Sequence, residues 1–194
     1  KLKSLSKDSL FYPVVKANAY GLGFKPVVKE IESLIDGFSV ATSEEALEVR
    51  KISKKNILCL EGPYDQKEFN LLLKNKIDLV IHSERQINFV KKIKFFPKEI
   101  KVWIKLDTGM NRLGFKEEEF LDIFKIFQTK TKKIVLMSHF SSAAGSMSSK
   151  TNSKKQIDKF NRIEKKLKKY GENFFSSLCN SGGLLNYKSS HKDI

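Results

Sequence analysis

The chain has 194 residues, 40% apolar and 30% charged, with 15 Phe and only four Pro; it is long enough to bury a sizeable core and unlike a disordered or collagen-like chain. No apolar run approaches the roughly 18 residues of a membrane span, and two cysteines exclude a disulfide scaffold and suit a reducing compartment. The net charge of +15 raises nucleic acid as a partner, but only Arg50, Arg85, Arg112 and Arg162 among the 37 basic residues are arginines, and lysines such as Lys165, Lys166, Lys168 and Lys169 pair on predicted helix faces, which reads as a solvated surface.

Lys1 is not a Met, and the opening segment is basic without a continuous apolar core. It is therefore not a secretion signal, and the chain is expected to lack its true start. Phe11–Val15 is the first of seven short apolar runs; the others are Phe38–Ala41, Ile57–Leu60, Leu79–Ile81, Val102–Leu106, Ile134–Met137 and Phe174–Cys179. Rich in Val, Ile, Leu and Phe without strict polar alternation, they predict strands covered on both faces, as in a parallel sheet.

Helix patterns lie between them. Pro26 fits a first helical position ahead of Val27, Val28, Ile31, Leu34 and Ile35. Thr42 with Glu45, Asp65 with Glu68, and Ser83 with Gln86 resemble capping boxes. Phe120, Phe124 and Phe127 form one apolar stripe. Ser141–Ser153 is a low-complexity loop after a strand, and Ile157, Phe160, Ile163, Leu167 and Tyr170 form a second stripe that Gly171 stops. No interdomain linker is visible. Strand–helix alternation repeated about seven times predicts an α/β fold, doubly wound or a barrel.

The apolar runs end in Lys16, Thr42, Glu61, His82, Asp107, His139 and Asn180–Ser181. In a barrel such positions face one mouth, where active sites lie. Lys16, directly after Val14–Val15, is expected to be partly desolvated, which favours the neutral amine that attacks an aldehyde; the plain alternative is a surface lysine. Lys105 alternates with Trp103 and Asp107 on a strand that looks buried, so it needs an anionic partner or chemical neutralisation. Asp107-Thr108-Gly109 reads as a turn. His139 at a strand end is a hydrogen-bond donor, a stacking partner or a structural histidine; no partner stands at metal-ligand spacing, and His82 and His191 keep a structural reading. Asn180-Ser181-Gly182-Gly183 offers a hydroxyl and successive amides entering a helix or turn, which serves an anion site and a helix cap equally. An amine together with an anion cradle suggests pyridoxal 5′-phosphate, although phosphorylated sugars use the same groups.

At these residues the chain resembles the bacterial alanine racemase family. VVKANAYGLG (14–23) is similar to its cofactor-attachment motif, WIKLDTGMNRLGF (103–115) to its second signature, and MSHF (137–140) and NSGG (180–183) to later barrel segments in order and spacing. The resemblance covers essentially the whole chain. It implies a (β/α)8 TIM-type barrel of the type III pyridoxal phosphate fold, incomplete, with about seven of eight strands in residues 1–194. The expected activity is interconversion of L- and D-alanine for peptidoglycan synthesis by a cytoplasmic homodimer. Lys16 then bears the cofactor and is an acid/base group. Tyr20, Asn180 and Ser181 contact the phosphate, His139 lies by the pyridine ring, and Arg112 meets the substrate carboxylate. Lys105 takes the place of a carbamylated lysine that positions Arg112. Leu22 stands where the family usually has His. The family continues past Ile194 into an eighth strand and a β domain that supply the pyridine-nitrogen partner and the opposite-face tyrosine, so the 194 residues are expected to be a fragment, inactive alone. Two other readings on the same barrel are a non-catalytic pyridoxal phosphate homeostasis protein and a racemase for serine or another amino acid.

Overall fold

The computed structural model describes residues 2–143, 147–170 and 173–194. By its internal contacts the chain divides into two units, Leu10–Trp103 and Lys1–Ser9 with Ile104–Ile194.

In the first unit, α1 (Lys16–Tyr20) and α2 (Phe24–Ile31) precede β1 (Gly37–Val40); α3 (Ser43–Ile52), β2 (Asn56–Cys59), α4 (Gln66–Lys74), β3 (Asp78–Ile81) and α5 (Glu84–Lys91) follow. β1 runs parallel to β2 with Phe38 opposite Ile57, and β2 parallel to β3 with Cys59 opposite Leu79. All residues of β1 and β3 are buried, which is why these runs carry no polar alternation. Phe38, Phe69 and Leu72 lie in the core, where Phe69 meets Phe96 edge-on.

The first expected strand is reduced to one parallel bridge, Val14 with Ser39. Ser39 N–H donates to Pro13 O at 2.9 Å and Val15 N–H to Ser39 O at 2.8 Å. Extending the ladder toward Tyr12 would require an N–H from Pro13, which has none.

One of the three expected capping boxes closes fully. Thr42 accepts the Glu45 amide while the Glu45 carboxylate accepts the Thr42 amide. Asp65 accepts the Glu68 amide at 2.8 Å, but the Glu68 carboxylate turns to the Tyr64 amide and the Ser43 hydroxyl. Ser83 makes no side-chain cap, and Gln86 accepts the His82 amide instead. Pro26 is the third residue of α2, not the first, still within the turn where a missing N–H costs nothing.

β4 (Val102–Lys105) crosses the boundary between the units. The second unit continues with α6 (Glu117–Gln128), β5 (Ile134–Met137), α7 (Met147–Lys169), β6 (Phe175–Ser177) and α8 (Ser181–Asn186). Strands neighbour in chain order, β1 to β4 in the first unit and β4 to β6 in the second. β5 and β6 are parallel with Leu136 opposite Ser176, and Ile194 N–H donates to Ser176 O at 3.1 Å. Phe120, Phe124 and Phe127 are buried on α6, as are Ile157, Phe160, Ile163 and Leu167 on α7. Tyr170 leaves the second stripe: α7 ends at Lys169 and Tyr170 is 72% exposed. Gly171, expected to stop that helix, and residues 144–146 of the low-complexity loop lie outside the described residues.

Cys59 is buried in β2 and Cys179 half-buried after β6, both as free thiols. Burial pushes the Cys59 thiol up to about 12 and raises that of Cys179. Among the described residues no helix is long and apolar enough to cross a membrane.

Candidate functional site

Val15 is 3% exposed, and the chain then turns left-handed: Ala17, Asn18, Ala19 and Tyr20 have φ of 50°, 53°, 55° and 55°. Four consecutive non-glycine residues in this region cost on the order of 1 kcal/mol or more each, so the turn needs outside support. The Glu45 carboxylate gives it, accepting the Ala17 amide at 2.6 Å with one oxygen and the Ala41 amide at 2.8 Å with the other. The Asn18 side chain accepts the Phe24 amide at 2.7 Å, and Gly21 N–H closes onto Ala17 O. The expectation of a desolvated Lys16 is corrected here. Val15 takes the buried position, and the turn leaves Lys16 exposed at its head, with Tyr20 at 64% exposure at its foot.

Farther along the first unit, Glu61 and His82 meet after their strands. His82 Nε2 lies 2.9 Å from Glu61 O, and Gln86 Nε2 donates to the same oxygen at 3.1 Å.

Lys105, the last residue of β4, is 6% exposed. Burial, then the nearby Arg112 guanidinium, holds its ammonium down at about 8 against a partial upward pull from Asp107. The following loop folds back onto the strand, because Phe115 N–H donates to Lys105 O at 2.8 Å and Asp107 N–H to Phe115 O at 2.9 Å. Gly114 permits this return: its φ is +126° and a Cβ would stand 2.8 Å from Asp107 N. Asp107 Oδ1 accepts the amides of Gly109, Met110 and Asn111, which confirms the turn reading. Arg112 lies exposed in the same loop.

Sequence reasoning missed a buried polar network beside it. The Ser138 hydroxyl donates to Leu106 O at 2.8 Å and lies 2.8 Å from the Thr108 hydroxyl. Gln156 donates through Nε2 to Thr108 Oγ1 at 3.1 Å and to His139 O at 3.0 Å; its Oε1 accepts the Ser141 amide and hydroxyl, each at 3.1 Å. Thr108, Ser138 and Gln156 are 5%, 3% and 2% exposed. The available signal was Gln156 itself, a polar residue four before Phe160 on the apolar face of α7, where burial demands partners. His139 is half-buried, its backbone fixed by this network.

Asn180 caps α8, its side chain accepting the Gly183 amide at 2.9 Å and its carbonyl the Leu184 amide. Ser181 opens the helix with its side chain exposed. The glycines answer a packing need: a Cβ on Gly183 would stand 2.6 Å from the Phe140 ring. The structure thus joins Lys105, Asp107 and Arg112 in one loop, ties His139 to Thr108 through Gln156, and sets Lys16 and Tyr20 on one turn. Among the described residues no group of three or more His, Cys, Asp or Glu side chains stands where it would hold a metal ion.

A family model described as alanine racemase, N-terminal domain, matches residues 1–194. The alanine racemase of Mannheimia succiniciproducens is 36% identical over 193 residues, covering 98% of this chain and 52% of that protein. The alanine racemase of Pasteurella multocida is 38% identical over 196 residues, covering 99% and 52%. The solved alanine racemase of Acinetobacter baumannii superposes with a TM-score of 0.88 at 30% identity, over 99% of this chain and 52% of that one. The biosynthetic alanine racemase of Pseudomonas aeruginosa gives 0.85 at 32%, with 99% and 52% coverage. The chain spans about half the length of the curated relatives it matches. These likenesses identify the fold as that of an α/β barrel, of which the described residues contain six strands and the Val14 bridge.

Proposed function

Since the chain belongs to the alanine racemase N-terminal domain family, we propose that it is the cofactor-bearing part of a pyridoxal phosphate enzyme that interconverts L- and D-alanine. The observation that carries this reading is Lys16, an exposed primary amine at the head of a strained left-handed turn directly after a strand-like segment. Taken singly, residues present suit such a cofactor: Lys16 is an exposed amine for its aldehyde, and Ser181 an exposed hydroxyl where a helix begins.

When bound, pyridoxal phosphate supplies the electron sink that acidifies the α-hydrogen of an amino acid. Lys16 would anchor it, and its amine could hold or return a proton at Cα from one face. The opposite face requires a second acid/base group. Tyr20, Asn180 and Ser181 would each contribute contacts to the phosphate, and His139, steadied through its backbone by Gln156, would lie by the pyridine ring and orient the partner of its nitrogen. Arg112 receives the substrate carboxylate. Lys105 is carbamylated: its neutral amine, favoured by burial, adds to carbon dioxide and releases a proton, which turns a cation beside Arg112 into an anion that orients it. The whole protein works in the cytoplasm as a homodimer and supplies D-alanine for peptidoglycan.

The test uses the full-length protein. After incubation with pyridoxal phosphate and borohydride reduction, peptide mapping is expected to place the label on Lys16, and L-alanine is expected to yield D-alanine. Label on another lysine would overturn the role of Lys16; correct label without D-alanine would overturn the activity and leave a carrier.

A further inference from the structure

Glu45 does two jobs with one carboxylate. Through Oε2 it accepts the Ala41 and Thr42 amides, at 2.8 and 3.4 Å, completing the cap of α3. Through Oε1 it accepts the Ala17 amide at 2.6 Å, from a residue 28 positions away in sequence. A helix cap needs only the first set. The second reaches the peptide that follows Lys16, where the left-handed backbone begins with φ of 50° and ψ of 51° at Ala17. In that conformation Ala17 is unfavourable for an L-residue, and a charge-assisted hydrogen bond is the kind of contact strong enough to hold it. Nearby bonds are local to the turn: Asn18 Oδ1 takes the Phe24 amide, and Gly21 and Gly23 N–H take the carbonyls of Ala17 and Asn18. Glu45 alone among these partners ties it to the first turn of α3, and through Ala41 to the end of β1.

We infer that Glu45 is a positioning residue: its carboxylate, by accepting the Ala17 amide, fixes the left-handed turn and thereby the direction in which Lys16 leaves the strand. This rests on the reading of Lys16 as the cofactor-bearing amine. Glu45 itself touches neither cofactor nor substrate; its effect passes through one peptide group.

The test compares Glu45→Gln, Glu45→Ala and Thr42→Ala in the full-length protein. Glutamine keeps the shape, but its one oxygen cannot serve both sets of amides and its NH2 faces a donor. Thr42→Ala weakens the same cap and leaves the Ala17 contact in place, so it reports the purely structural loss. Amide hydrogen exchange across residues 15–23, measured without cofactor, is expected to quicken about tenfold or more in both Glu45 variants. Borohydride-trapped pyridoxal at Lys16 is expected to fall by a similar factor at limiting pyridoxal phosphate. Thr42→Ala, matched for thermal stability, is expected to change both by less than about twofold. Unchanged exchange in Glu45→Gln, or an equal change in Thr42→Ala, would overturn the inference. Should the unsubstituted protein take no label at Lys16 while Glu45→Gln still frees the Ala17 amide, the hold on the turn stands and the cofactor reading is what fails.

Discussion

Lys192 donates to the Glu164 carboxylate at 2.8 Å, with the two side chains only 12% and 11% exposed. The pair fastens the segment before Ile194 to α7. The other Glu164 oxygen accepts the Ser176 hydroxyl at 2.7 Å, and Lys168 approaches it at 3.4 Å. Desolvation works to raise the Glu164 carboxyl, but hydrogen bonds from Lys192 and Ser176 win and hold it below its ordinary value.

Lys192→Ala is expected to cost about 2 kcal/mol, because it strands a mostly covered carboxylate. Since Glu164 is held low in the folded state, its contribution is present above the ordinary carboxylate range and is lost as pH falls through the depressed value. Urea unfolding at about pH 7 and about pH 4 should therefore show a smaller fall with acidity in the variant than in the parent.

Gln156→Leu is expected to destabilise by about 1–3 kcal/mol, since the buried Thr108 hydroxyl loses a donor and the part-buried Ser141 amide and His139 carbonyl lose their partner. Gln156→Glu keeps the acceptor for Ser141 but loses both donors, and should rank with it. Denaturant midpoints of the two variants check this.

Gly183→Ala puts a methyl 2.6 Å from the Phe140 ring. A loss of about 1–3 kcal/mol is expected. Phe140→Leu in the same chain should recover part of it, because the clash is with the ring; additive losses in the double variant would contradict the packing account.

Lys105→Met removes a buried ionisable side chain that sits near Arg112. Stability is expected to hold or rise by about 1 kcal/mol, as is common when a buried charge gives way to a hydrophobic side chain of similar size. If Lys105 is the carbamylated residue proposed above, the parent should show a carbamate signal by carbon-13 NMR in labelled bicarbonate, and the variant should lose it together with most racemase activity.

Much of the framework is legible along the chain. The apolar runs at 38–41, 57–60, 79–81 and 134–137 fall on β1, β2, β3 and β5, because strands covered on both faces need no polar alternation. Thr42 and Glu45 announce the start of α3 for a local reason. The handedness of Ala17–Tyr20 is not legible: Lys-Ala-Asn-Ala-Tyr reads as ordinary helix-compatible sequence, and the carboxylate that supports the turn lies 28 residues from Ala17. The burial of Thr108 and Ser138 is equally hidden, since each is satisfied by a partner from another element. Local chemistry writes caps and strands into sequence, whereas long-range hydrogen bonds decide the site.

The placement of the thiols gives each unit its own chemical clock. Cys59 belongs to the unit Leu10–Trp103 and Cys179 to the other. A maleimide or iodoacetamide pulse during graded denaturation would time the opening of β2 at Cys59, whose protonated, covered sulfur is inert until its strand parts from its neighbours. Cys179 would time the region after β6. Two alkylation curves that coincide mean one cooperative melting event, and two that separate give the order in which the halves come undone.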